Sequence, residues 1–254
     1  MKKQVVIIGV GEMGGVFARG FLRQGRPLYS VIRDMNLAEE ANLIPDPEGV
    51  LLAVGEKDLH EVLEKMPEAW RSRLILLQNE LLPSDWRKHG LVDPTVISVW
   101  FEKKPGQDFK VIIPSPVYGP LSGLVSDALG AIGIPCKILA SPEELLFELV
   151  VKNVYILTTN IAGLVCGGNV QLLWEKNREL ADQVARDVIA VQETLTGEKF
   201  DAEKLIAAMK TAFDGDPEHR CLGRTAADRL ERALNMADQY GVDAPKLREI
   251  AGKI

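Results

Sequence analysis

Cysteine and histidine are scarce in this chain, which holds three of each in 254 residues. Cys136, Cys166 and Cys221 lie far apart and form no CxxC pair, so neither a disulfide framework nor a cysteine zinc site is expected, and the thiols suit a reducing compartment. His60, His89 and His219 lack metal-ligand spacing, and no serine sits in a nucleophile-elbow pattern, so metal chemistry and serine hydrolysis have no support. There is no basic excess either. The formal net charge is −6 and no basic run concentrates positive charge, which argues against a nucleic-acid partner. Aromatic residues make up 6%, and Trp70, Trp86, Trp100 and Trp174 are scattered as core or interface residues would be. The longest uncharged stretch, 153–170, is diluted by Asn153, Thr158, Thr159, Asn160 and several glycines, so it reads as a buried helix and not a membrane span. The apolar run after Met1-Lys2-Lys3 is short and is followed by Glu12, unlike a signal segment, so a cytoplasmic protein is expected.

Apolar residues make up 46% and charged residues 26%, enough to bury a sizeable core. The run Gln4 to Val10 is β-branched and ends in glycines, as a strand buried on both faces of a parallel sheet would. A helix is expected over Met13 to Gln24. Further strands are expected at Pro27 to Ile32, Val50 to Val54, Leu74 to Leu77 and Val96 to Trp100, with Asp58 to Met66 helical. The link from Arg33 to Gly49 holds Pro45 and Pro47 and reads as irregular. Strands at Lys110 to Ile113 and Cys136 to Leu139 flank a helix over Leu121 to Ile132. From Ser141-Pro142-Glu143-Glu144, a helix start, the pattern is helical: Glu143 to Cys166, Leu172 to Leu195, Ala202 to Phe213, Thr225 to Gln239 and a tail from Pro245. The expected fold class is therefore α/β. A Rossmann-type parallel sheet over 1–140 precedes an all-helical domain over 141–254, with an active site expected between them.

Gly9-Val10-Gly11-Glu12-Met13-Gly14 matches GxGxxG after a strand and at the opening of a helix. Gly9 permits the turn, Gly11 lets the backbone approach a pyrophosphate, and Gly14 allows helix and strand to pack closely. The N–H groups at the helix start, around Glu12 and Met13, meet the phosphates. Arg33 and Asp34 follow the second strand, where the adenosine ribose is read. An arginine grips a 2′-phosphate, whereas an aspartate accepts from a free 2′-hydroxyl; the arginine favours NADP over NAD. The two can instead pair with each other on the surface.

Leu76-Leu77-Gln78-Asn79-Glu80 resembles the "QNG" segment after the fourth strand of ketopantoate reductases (2-dehydropantoate 2-reductases). Lys152, followed eight residues later by Asn160, resembles their helical catalytic motif, and Gln239 to Pro245 is similar to the end of their last helix. The resemblance covers nearly the whole chain. It implies an NADP-dependent oxidoreductase that reduces a small 2-keto acid, a setting such as pantothenate synthesis, and a helical domain like that of 6-phosphogluconate dehydrogenase. The chain departs from the family where Val54-Gly55-Glu56-Lys57 replaces a lysine after the third strand, at Ile156 in place of an asparagine, and at Thr225 or Ala226 in place of a catalytic glutamate.

The resemblance implies that Lys152 donates the proton. Its setting between Val150-Val151 and Val154 suits a lysine whose pKa is lowered by desolvation, although a surface stripe would read the same. Asn160, two turns on, could orient substrate or be satisfied by backbone. Asn79 could approach the nicotinamide or cap a loop. Arg220 or Arg224 could clamp a carboxylate. Two alternatives stay open: another dehydrogenase of the 6-phosphogluconate or hydroxyacid type, and a non-catalytic NADP(H) sensor. The apolar helix 150–165 also allows a homodimer.

Overall fold

Val5-Val6-Ile7-Ile8 has no polar face, so it can rest only in a sheet covered on both sides. It forms β1 (Val5–Ile8), with every residue at most 5% exposed. The computed structural model describes residues 2–254 and divides the chain into two compact units, Met1–Glu148 and Leu149–Ile254.

In the first unit β1 leads to α1 (Glu12–Arg23), β2 (Leu28–Val31), α2 (Leu37–Leu43), β3 (Gly49–Leu52), α3 (Leu59–Glu64), α4 (Glu68–Arg71), β4 (Leu74–Leu76), α5 (Pro83–Arg87) and β5 (Thr95–Ile97). These strands lie in the order β2-β1-β3-β4-β5 and all run parallel. Ile8 pairs with Val31 on one side and Leu52 on the other, so three strands end on one rim. A common dinucleotide-binding order is 3-2-1-4-5-6, with a third strand outside the second. Among the described residues that outer strand is missing. The link expected to be irregular contains α2 instead, capped by the Asn36 side chain, which accepts from the Ala38 and Glu39 N–H groups. The chain then returns directly to β3 on the far side of β1.

Beyond β5, β6 (Phe101–Glu102) and β7 (Lys110–Val111) make a separate antiparallel ribbon. β8 (Ser115–Tyr118), α6 (Ser122–Gly130) and β9 (Cys136–Ile138) then extend the main sheet, β8 antiparallel to β5 and β9 parallel to β8. The sheet strand here is β8 and not the expected Lys110 to Ile113, of which two residues join the ribbon. Pro116 conceals β8, because proline argues against a strand. Its carbonyl nonetheless accepts the Ser98 N–H at 2.9 Å, a bond that asks nothing of the missing donor. Phe17 and Phe21 of α1 and Val125, Ala128 and Leu129 of α6 share one buried core with Ile7, Leu51, Ile75 and Ile97.

The helices α7 (Pro142–Cys166), α8 (Val170–Lys176), α9 (Arg178–Thr196), α10 (Ala202–Gly215), α11 (Ala226–Tyr240) and α12 (Pro245–Ala251) complete the chain, and the division between units falls within α7. The single helix expected over Leu172 to Leu195 is broken at Asn177 into α8 and α9. In the second unit α9 packs on α8, α10, α11 and α12 through buried Ala181, Val184, Ala185 and Val188. The Asp187 carboxylate accepts the Lys246 and Leu247 N–H groups at 2.7 and 3.0 Å and so caps α12. Helix α7 is long and apolar enough to cross a membrane, yet 78% of its most apolar stretch is buried inside the protein, as in a core helix.

Candidate functional site

Gly9 has φ of 91°, and a Cβ there would lie 2.6 Å from the Ala53 carbonyl oxygen. A Cβ on Gly14 would lie 2.1 Å from the Gly9 oxygen, so both glycines are required for the turn to close on α1 and β3. Gly11 differs: a Cβ there would meet nothing within 4 Å, and the turn is open on that side. The Gly15 N–H to Gly11 carbonyl bond of 2.8 Å begins α1, so the N–H groups of Glu12 and Met13 precede the helical ladder, as an anion site requires. Met13 packs on the sheet core, and Glu12 pairs with Lys103 at 2.8 Å.

Next to this turn, a cavity of about 1020 Å³ opens at the carboxyl ends of β1, β2 and β3, with Gly9, Arg33, Asn36, Val54, Asp58 and Lys65 in its lining. Its position is where an α/β sheet of this order binds ligands. Arg33 is 84% exposed and reaches Asp58 at 3.3 Å, not its neighbour Asp34. Lys65 pairs with Glu61 at 2.6 Å and holds that carboxyl below its ordinary pKa, with Arg33 adding a smaller pull. In the sequence Lys65 is marked only by its i,i+4 spacing from Glu61.

At the end of β4 the buried Gln78 amide donates to the carbonyls of Leu52 and Val54 at 2.7 and 3.3 Å, while its oxygen accepts the Leu77 N–H at 3.1 Å. Asn79 is exposed on the loop that follows. Glu80 stands where the resembling motif has glycine, and its φ is 58°.

In the second unit, burial first and the charge of Arg229 second bring the Lys152 ammonium down to a pKa of about 7. Its Nζ lies 5.7 Å from the centre of the Tyr155 ring. Asn160 accepts the Gly223 N–H at 3.1 Å and donates to the Ile156 carbonyl at 2.8 Å. A Cβ on Gly163 would lie 1.7 Å from the Cys221 oxygen, so the loop before α11 rests directly on α7. Arg229 of α11 closes the group; its Nη1 comes within 3.9 Å of where a Gly223 Cβ would stand. No motif in the sequence marks Arg229, whereas Arg220 and Arg224, the arginines expected to clamp a carboxylate, are exposed. Lys152 and Asn160 thus share one helix with Arg229 opposite, and the GxGxxG turn, Arg33 and Asn79 belong to the first unit.

No family model matches the sequence, and no curated protein matches it either. Solved structures match in fold over nearly the full chain and are mostly ketopantoate reductases. The 2-dehydropantoate 2-reductase of Methylococcus capsulatus is 12% identical, with a TM-score of 0.71 over 97% of this chain and 94% of that one. A dimeric ketopantoate reductase of Staphylococcus aureus is 15% identical, with a TM-score of 0.67 over 97% and 96%. D-mandelate dehydrogenase, solved with NADH and anilino(oxo)acetate, is 14% identical with a TM-score of 0.67 over 97% and 96%.

Proposed function

We propose that this protein is an NADP-dependent reductase of a small 2-keto acid, ketopantoate or a close relative. The observation that carries the reading is a lysine in an apolar helix whose pKa is brought to about 7. A group with that pKa both holds and releases a proton at neutral pH, which suits it to protonate the oxygen of a carbonyl under reduction. The glycine turn and the cavity beside it fit a dinucleotide, since the turn closes only with Gly9 and Gly14 and stays open at Gly11. A bound NADPH would supply the hydride.

The protein's residues would do the rest. Gly11, Glu12 and Met13 would bring backbone N–H groups to the pyrophosphate, and Arg33, assisted by Lys65, would hold the 2′-phosphate. Asn79 would approach the nicotinamide half. Arg229 would hold the substrate carboxylate beside Lys152, and that anion would also raise the lysine pKa on binding. Asn160 would keep the loop carrying Gly223 in place for both. The D-mandelate dehydrogenase likeness supports the wider 2-keto and 2-hydroxy acid class over ketopantoate alone.

The test is titration with NADPH and NADH, then oxidation of NADPH with ketopantoate and a keto-acid panel, for the natural protein and Lys152→Ala. Turnover that Lys152→Ala abolishes while nucleotide affinity is kept supports the reading. Binding without turnover on any acid would favour a sensor, and no binding of either nucleotide would end it.

A further inference from the structure

Lys103 lies between β6 and β7 and reaches the glycine turn, although the ribbon that carries it takes no part in the main sheet. The ribbon is seated along α1. Phe101 meets Phe17 with ring centres 6.0 Å apart, Asp108 pairs with Arg19 at 3.4 Å, and the Arg19 guanidinium lies 5.8 Å from the centre of the Phe109 ring. This seating brings the Lys103 ammonium to the start of the helix, with its side chain 20% exposed.

Ribbon and turn share a second cavity, of about 270 Å³, whose lining includes Gly11, Glu12, Gly15, Arg19, Lys103 and Asp108. A Cβ on Gly11 or Gly15 would meet nothing within 4 Å, so the turn leaves its backbone open to a ligand. No side chain caps the helix start at Gly11, and Glu12 is paired with Lys103. The two acids and two cations of the lining pair with one another, so the cavity is no general trap for anions. Lys103 nonetheless has something left to give. Of the three N–H donors of an ammonium, one goes to Glu12 at 2.8 Å and one to the Lys104 carbonyl at 2.9 Å, and the third has no acceptor among the described residues. A dinucleotide on this turn would also set two phosphate charges near the Glu12 carboxylate, a repulsion larger than the half charge of a helix start offsets. We infer that the Lys103 ammonium binds the pyrophosphate of the dinucleotide, giving its third N–H to a phosphate oxygen while it neutralises Glu12, an assignment that rests on the dinucleotide reading. The pyrophosphate is common to NADPH and NADH, so this contact adds affinity for both and does not choose between them.

The experiment needs no substrate. Dissociation constants of NADPH and NADH are measured for the natural protein, Lys103→Met, Lys103→Arg, Glu12→Gln and the double variant Glu12→Gln with Lys103→Met. Lys103→Met should raise both constants by the same factor, on the order of tenfold. Lys103→Arg keeps the charge and the donors and should lose less. Glu12→Gln removes the repelling carboxylate and should lower both constants roughly two- to fivefold. The double variant decides the contact: with residue 12 neutral, the lysine should still be worth on the order of tenfold. A loss that vanishes in that background overturns the assignment, because the lysine then acts on Glu12 alone. Constants unchanged by Lys103→Met, or a loss confined to NADPH, overturn it as well while leaving the dinucleotide reading in place. If neither nucleotide binds the natural protein, the dinucleotide reading falls and this assignment falls with it.

Discussion

The carboxamide oxygen of Asn160 accepts the Gly223 N–H at 3.1 Å, while its nitrogen donates to the Ile156 carbonyl at 2.8 Å. One side chain therefore ties α7 to the loop that leads into α11 and Arg229. Asn160→Ala should lower stability by about 1–3 kcal/mol, read by denaturant unfolding, because the groups it satisfied lose their partner. It should also raise KM for the keto acid. Asn160→Asp keeps the acceptor and should retain the Gly223 bond, losing less of both; equal losses in the two variants would argue against the tie.

The Lys152 pKa of about 7 sets a pH dependence. In the proposed reduction the lysine donates the proton, so kcat/KM, which reports the free protein, should fall as pH rises through the neutral range. Lys152→Ala should reduce kcat by roughly 10²- to 10⁴-fold. Arg229→Ala removes a repelling charge, so the falling limb should move to higher pH. Stability follows the same group: the unfolded chain holds this proton more tightly, so stability rises from about pH 7 toward the ordinary lysine value. Lys152→Met should flatten that rise in melts taken across the range.

The opening strand and its glycine turn were legible because a β-branched run followed by GxGxxG admits few other structures. The start of α7 was legible from Ser141-Pro142-Glu143-Glu144. Other features were not. Proline masked β8, since residue preference penalises a missing donor that this edge of the ladder does not use. Asn177 interrupts a pattern that is periodic on both sides of it. Arg229 is placed by the packing of α11 on its neighbours, which no local spacing reports. The φ of Glu80 runs against residue type altogether, and only coordinates could disclose it.

Arg33 lines the cavity beside β2 with its guanidinium 3.3 Å from Asp58. Arg33→Ala should weaken NADPH on the order of tenfold or more, the scale of a charge-assisted bond, and leave NADH little changed. Lys65→Ala should do the same to a smaller degree. Equal effects on the two nucleotides in direct titrations would remove the 2′-phosphate role.

His60 Nδ1 and His89 Nε2 are 3.1 Å apart, close enough for one proton to be shared between them. Burial first, then the charges of His60 and Lys88, hold His89 below the usual histidine pKa. The unfolded chain therefore takes up this proton first, and the stability involved is whole above about pH 6.5 and is lost as pH falls below it. His89→Gln should melt with a shallower dependence between pH 7 and the acid limb, and an unchanged slope would show that other groups set it.

The missing outer strand leaves β2 as the border of the main sheet. A border strand offers a row of free backbone donors and acceptors to any extended chain that drifts alongside. Here the row spans only Leu28–Val31, and the Arg26 to Glu48 ion pair lies just before it, with α2 beginning shortly after it. A four-residue ladder gives a visiting strand little to hold, so this border of the first unit is a poor template for fibres.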